Sequence, residues 1–288
     1  MTHRAPSRPW TRRGVGAPIA VAGLLCLLYA PTCVNIARVY LGPESFYTHG
    51  FLIPFACLLL LREKRGRLAR IPPSSSAWGI SLLLLGCALH LFGLRASVGF
   101  ASAVSILIVI IGLSLYHRGK EYTREILPAA ALLLFMIPLP QWLLYHMTFS
   151  LKMRAAALAS AVVRAFGVPV LRDGIYVTCP GGASFAIEDP CSGLRSIVSL
   201  CAMAYILSAL AELPARKQLL ILASAPLLAW AGNLLRVVCT ILLVHFTGCP
   251  GPPFVHAAVG AGSFIFSLLV LLLWSTHILC ADLRGGSR

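Results

Sequence analysis

Three side chains whose chemistry could combine stand far apart in an otherwise apolar sequence: Cys191, Arg236 and His256. A thiol can be a nucleophile, an imidazole can carry its proton, and a guanidinium can stabilise a thiolate or an oxyanion. That set suits acyl transfer on a peptide bond through a thioester. Cys191 lies in Glu188-Asp189-Pro190-Cys191-Ser192-Gly193-Leu194-Arg195-Ser196. Asp189-Pro190 reads as a helix start, an N-cap acceptor followed by proline at the first helical position. The spacing then predicts Cys191 in the first helical turn, where the helix dipole favours a thiolate, with Arg195 at i+4 on the same face. The bland alternative is a cysteine acting as a small hydrophobe.

Arg236 lies in Gly232-Asn233-Leu234-Leu235-Arg236, inside a strongly apolar run, and Asn233 at i−3 is placed to orient its guanidinium. His256 follows the break at Gly251-Pro252-Pro253 and is followed by Gly260 and Gly262, small residues that permit close helix approach. His49-Gly50 opens an earlier apolar run and is a weaker candidate. His90, His117, His146, His245 and His277 have no comparable context.

The elements that must position these residues follow from composition. Of 288 residues, 58% are hydrophobic and 11% charged, with a mean hydropathy of +0.85. An average soluble domain is about 25% charged, and no soluble core could bury this apolar surplus. The chain reads as an all-α integral membrane protein. Apolar stretches recur near 17–37, 49–61, 77–93, 98–116, 125–145, 191–211, 218–246 and 254–281, which predicts about eight transmembrane helices. The basic start, with Arg4, Arg8, Arg12 and Arg13, imitates a signal peptide, but its apolar run is too long and lacks a clear cleavage site, so a retained first span is expected. The net charge of +15 would suggest nucleic acid in a soluble protein. Here the basic residues sit in short loops, and no nucleic-acid partner is expected. With both termini inside, sixteen Lys and Arg fall on the inner side and six outside, leaving Arg195 and Arg236 within helices. The expected organisation is a basic inner tail over 1–16, one transmembrane domain over 17–282, and an inner tail over 283–288.

Arg236 lies 18 residues beyond Gln218, about 27 Å along a helix that starts inside. That brings it to the outer edge, level with Cys191 and His256. A charge at the bilayer centre costs at least roughly 2.5–3.5 kcal/mol, so such an arginine is a functional hypothesis by default, with snorkelling as its alternative. The longest outside segment, 146–190, begins with a helical stretch to 166 of interfacial character. Gly167 and Pro169 break it, and two β-prone runs around Pro180-Gly181-Gly182 suggest a hairpin leading into the Cys191 segment. No Cys-x-x-Cys or Cys/His spacing suggests a metal, and no cofactor is expected. Cys179 and Cys249 are candidates for an outer-face disulfide.

The Glu188–Ser196 block, Asn233-Leu234-Leu235-Arg236, and His256 with Gly260 resemble the signature blocks of the exosortase/archaeosortase family. His49-Gly50 and Met136-Ile137-Pro138-Leu139-Pro140 are similar to its N-terminal half, and the resemblance covers roughly 45–275. It implies a multipass cysteine transpeptidase of the cytoplasmic (inner) membrane, acting at the outer face. Its partners would be exported proteins with a C-terminal sorting signal: a short Pro-Glu-Pro-like motif, a membrane helix and a basic tail. The acyl group would pass to a surface acceptor. The matching catalytic positions are Cys191 as nucleophile, Arg236 for thiolate or oxyanion stabilisation, and His256 as general acid/base. Asn233, Arg195, Ser192, Gly193 and His49 would support them. The family often carries an acid after the histidine, whereas this chain has Ala257, so the role of that acid is either absent here or supplied elsewhere, with Glu188 and Asp189 as the candidates. No fused polysaccharide-assembly domain is expected after the last span.

Three other readings remain, one of them a non-catalytic assembly subunit. A transporter or channel could use Arg195 and Arg236 to bind an anion between helices and would need no thiol. Gly260-Ala261-Gly262-Ser263 superficially suggests an intramembrane serine protease, but no partner histidine is evident at its depth. For the thiol itself, the two arginines are expected to outweigh burial and the neighbouring carboxylates, giving an activated Cys191 with His256 mainly as acid.

Overall fold

A computed structural model of the chain describes residues 16–42, 45–248 and 253–285. Its helices are α1 (Gly16–Leu41), α2 (Ile53–Glu63), α3 (Arg65–Arg70), α4 (Trp78–Arg95), α5 (Gly99–Leu132), α6 (Gln141–Ala165), α7 (Leu194–Leu210), α8 (Ala215–Thr247) and α9 (Pro253–Gly285). A small sheet, β1 (Leu171–Asp173), β2 (Tyr176–Thr178) and β3 (Ser184–Ala186), lies between α6 and α7. Among the described residues, five stretches are long and apolar enough to cross a membrane: Gly23–Leu41, Trp78–Arg95, Gly99–Met136, Ala215–Thr247 and Phe254–Ile278. Leu194–Leu210 is apolar but shorter. Large apolar side chains such as Leu27, Phe55, Leu84, Leu227 and Leu273 point outward, as lipid contact requires. The protein is an all-α multipass membrane protein.

The longest of these stretches is not one rod. At Gly119 the backbone takes φ 80°, a conformation that glycine adopts without a Cβ clash. Ser114 and Thr123 would stand about 13.5 Å apart along a straight helix, yet their hydroxyls are hydrogen-bonded at 3.0 Å. The chain therefore doubles back. The arm before Gly119 runs antiparallel to α4, where Gly79, Gly86 and Gly93 admit Tyr116, Val109 and Ser102. The arm after it packs on α2 through Lys64–Glu125 at 3.2 Å and the Cys57 thiol on Ala129 O at 3.2 Å. The two expected runs, 98–116 and 125–145, thus form one hairpin of helices.

His90 has a context that the sequence did not reveal. It is fully buried, with Nδ1 at 2.9 Å from Ser102 Oγ and Nε2 at 3.1 Å from Leu28 O. Thr32 and Tyr29 add bonds to Ser102 and Ser105 at 2.6 and 2.9 Å. These bonds tie α1 to the α4–α5 pair, each polar group being satisfied within the bundle as the membrane interior demands.

The insertion expected between the fifth and sixth spans starts earlier than the sequence suggested. Pro138 and Pro140 end the preceding arm, and α6 begins at Gln141 rather than near 146. One face of α6, Ala155, Ala156, Ala159 and Val163, is buried against Val237, Val238, Ile241 and Val244 of α8. Trp142, Tyr145 and Phe149 stay exposed, as in an aromatic belt. The sheet is a meander rather than a lone hairpin: β2 pairs antiparallel with both β3 (Tyr176↔Ala186) and β1 (Leu171↔Thr178). Its buried residues Val177 and Cys179 join the α6–α8 core. Cys249, the suggested partner of Cys179, lies outside the described residues. The termini of the expected inner tails also lie outside them, while α9 continues to Gly285, past the expected boundary at 282.

Candidate active site

Cys191 is not in the first turn of a membrane helix. Residues Asp189–Ser192 form a separate 3-10 turn, in which the Cys191 N–H donates to Glu188 O at 2.9 Å. Gly193 then takes φ 83°, and α7 starts only at Leu194, whose N–H donates to Ser192 Oγ at 3.3 Å. Asp189 does not cap the helix, since no side-chain cap bond is made there. Its carboxylate instead pairs with Lys152 of α6 at 2.5 Å. The left-handed residue breaks the i, i+4 register on which the expected Cys191–Arg195 alignment depended.

Two side chains of α8 hold this turn by its carbonyls. Asn233 Nδ2 donates to Cys191 O at 2.7 Å, and Arg236 Nη1 donates to Pro190 O at 2.9 Å. Asn233 therefore grips the turn rather than orienting Arg236. A Cβ at Gly193 would stand 2.9 Å from Asn233 Cβ and Cγ, so this position needs glycine for its φ and for its space. On the other side of Arg236, Gly260 of α9 leaves room for the guanidinium. Arg236 Nε is buried and makes no hydrogen bond among the described residues.

Cys191, Arg236 and His256 line one cavity of about 390 Å³, together with Glu188, Thr240 and a wall from the third strand, Phe185 to Ile187. Three elements distant in sequence thus meet at one cleft: the 189–192 turn, α8 and the start of α9. Arg195, Ser192 and His49 are not among the lining residues. Ser192 is fully buried behind the turn. His49 Nδ1 lies 3.1 Å from Ser199 Oγ on α7, which ties the segment before α2 to α7.

Burial pushes the Cys191 thiol above its ordinary range; Arg236 opposes this and Glu188 adds to it. The expected balance is reversed. Arg195 is not among the charges acting on the thiol, and desolvation outweighs the single guanidinium beside it. Sequence reasoning missed Lys152 altogether. Nothing local marks it, because its partner is 37 residues away. It also did not connect Gly260 with the space that the Arg236 guanidinium occupies. The groups that could hold a metal do not cluster among the described residues.

A cysteine, an arginine and a histidine meeting at one end of a multipass helical bundle is the arrangement that the sequence blocks implied. No curated protein and no solved structure matches the chain. The model of the transmembrane exosortase family, however, matches residues 42–274, a stretch that includes every residue of the cleft. The chain belongs to the transmembrane exosortase family.

Proposed function

We propose that the protein is a membrane cysteine transpeptidase that cleaves C-terminal sorting signals of exported proteins at the outer face and passes the acyl group to a surface acceptor. Family membership supports the membrane transpeptidase role in its coarse form. The observation that carries the finer reading is the convergence of Cys191, Arg236 and His256 on one cleft. In the resting site the thiol is neutral and Arg236 is engaged with Pro190 O. His256 therefore takes the thiol proton as sulfur attacks the scissile carbonyl carbon. Arg236 Nε, which has no partner among the described residues, donates to the carbonyl oxygen as negative charge develops there. The C–N bond breaks, His256 hands its proton to the leaving amine, and a thioester remains on Cys191.

Co-expression with a protein carrying a membrane-helix and basic-tail C-terminus tests this. The wild type should release the tail, and a substrate adduct should be recoverable on Cys191. Cys191→Ala should abolish both, and Arg236→Lys should lose most processing, because a point charge does not replace the planar fork. Retained function in Cys191→Ala would favour an anion transporter using its membrane arginine.

A further inference from the structure

Glu188 is the one carboxylate lining the cleft among the described residues. It immediately precedes the 3-10 turn that carries Cys191, and the two residues line the same cavity. The neighbouring Asp189 is drawn off by Lys152 at 2.5 Å. The Glu188 side chain stays exposed. Its charge hinders the first half-reaction, because it opposes formation of the thiolate. What it favours is a cation arriving at the cleft after the acyl group is in place.

We propose that Glu188 selects a protonated amine as the acceptor that resolves the enzyme's acyl group. This rests on the Cys191 thioester reading. The carboxylate attracts the ammonium and takes one proton from it for transfer to water. The freed nitrogen lone pair attacks the thioester carbon, the C–N bond forms and the C–S bond breaks. The second nitrogen proton returns through His256 to the departing sulfur, which restores the thiol. Water, alcohols and neutral nitrogen nucleophiles carry no charge for the carboxylate to attract, so Glu188 favours aminolysis by a cation over hydrolysis.

The test uses the full-length membrane enzyme with a tailed substrate and two acceptors near neutral pH: methylamine, which is a cation, and hydroxylamine, which is neutral. The readout is the ratio of aminolysed to hydrolysed product. Glu188→Gln should lower that ratio about fivefold for methylamine, the upper end for a solvent-exposed charge pair. For hydroxylamine the ratio should hold, and Glu188→Lys should depress methylamine transfer further. An equal fall with both acceptors, or no fall with either, overturns the proposal. If the wild type forms no hydroxamate at all, the thioester reading itself fails, and this proposal fails with it.

Discussion

Gly260 on α9 leaves the space that the Arg236 guanidinium on α8 occupies: a Cβ at 260 would stand 2.9 Å from Arg236 Cζ and 3.2 Å from Nε and Nη1. The arginine is thus held between the carbonyl of Pro190 on one side and a bare backbone on the other.

Gly260→Ala should therefore displace the guanidinium while leaving the helix intact. A group misplaced by about 1 Å at a reacting centre can cost on the order of a hundredfold, and a loss of that size in substrate processing is expected. Gly262→Ala is the control, since a methyl there meets nothing within 4 Å. Equal activity in the two variants would sink this account of Gly260.

The thiol should behave as a buried one. Because desolvation holds Cys191 above its ordinary range, its alkylation by iodoacetamide should be slow near neutral pH. The rate should climb only as pH passes the usual thiol value of roughly 8.5. Removing Arg236 with Ala takes away the charge that lowers the thiol, so the profile moves to higher pH. Glu188→Gln takes away a charge that raises it, so the profile moves to lower pH. Mass spectrometry of the Cys191 peptide reads the rates; a profile centred below the ordinary value contradicts the argument.

The Lys152–Asp189 pair should act as one unit, fastening α6 to the turn that carries Cys191. Its carboxylate side chain is 45% exposed, so solvent screening limits the coupling to about 0.5–1 kcal/mol. Lys152→Met and Asp189→Asn should each reduce processing several-fold, and the double variant should be little worse than either. Fully additive losses would show that the two residues act separately.

Eight crossings are expected, counting α2 and each arm of α5, with α3 inside and the sheet outside. Cysteines introduced at Gly66 and Ser184, both exposed positions, test this in intact cells. An impermeant thiol reagent should label the second and spare the first. The opposite pattern would invert the orientation derived from the basic residues.

Composition by itself determined that the chain lives in a bilayer, because 58% apolar residues with 11% charge cannot be hidden in a soluble core. Anomaly also marked two of the three central side chains, since a guanidinium in an apolar run and a thiol after Asp-Pro are conspicuous by type alone. What type could not reveal was backbone sign and distant partnership. A positive φ at Gly193 turned an expected helix start into a separate turn and took Arg195 out of register with the thiol. Another at Gly119 folded one apolar stretch into two antiparallel arms. Both positions are glycines among 24 in the chain, and nothing local distinguishes them. The grip of Asn233 on Cys191, the pairing of Lys152 with Asp189 and the space beneath Arg236 join residues dozens of positions apart. Only the packing of α6, α8 and α9 brings them within bonding distance, because hydrogen bonds and ion pairs act over a few ångströms and carry no trace along the chain.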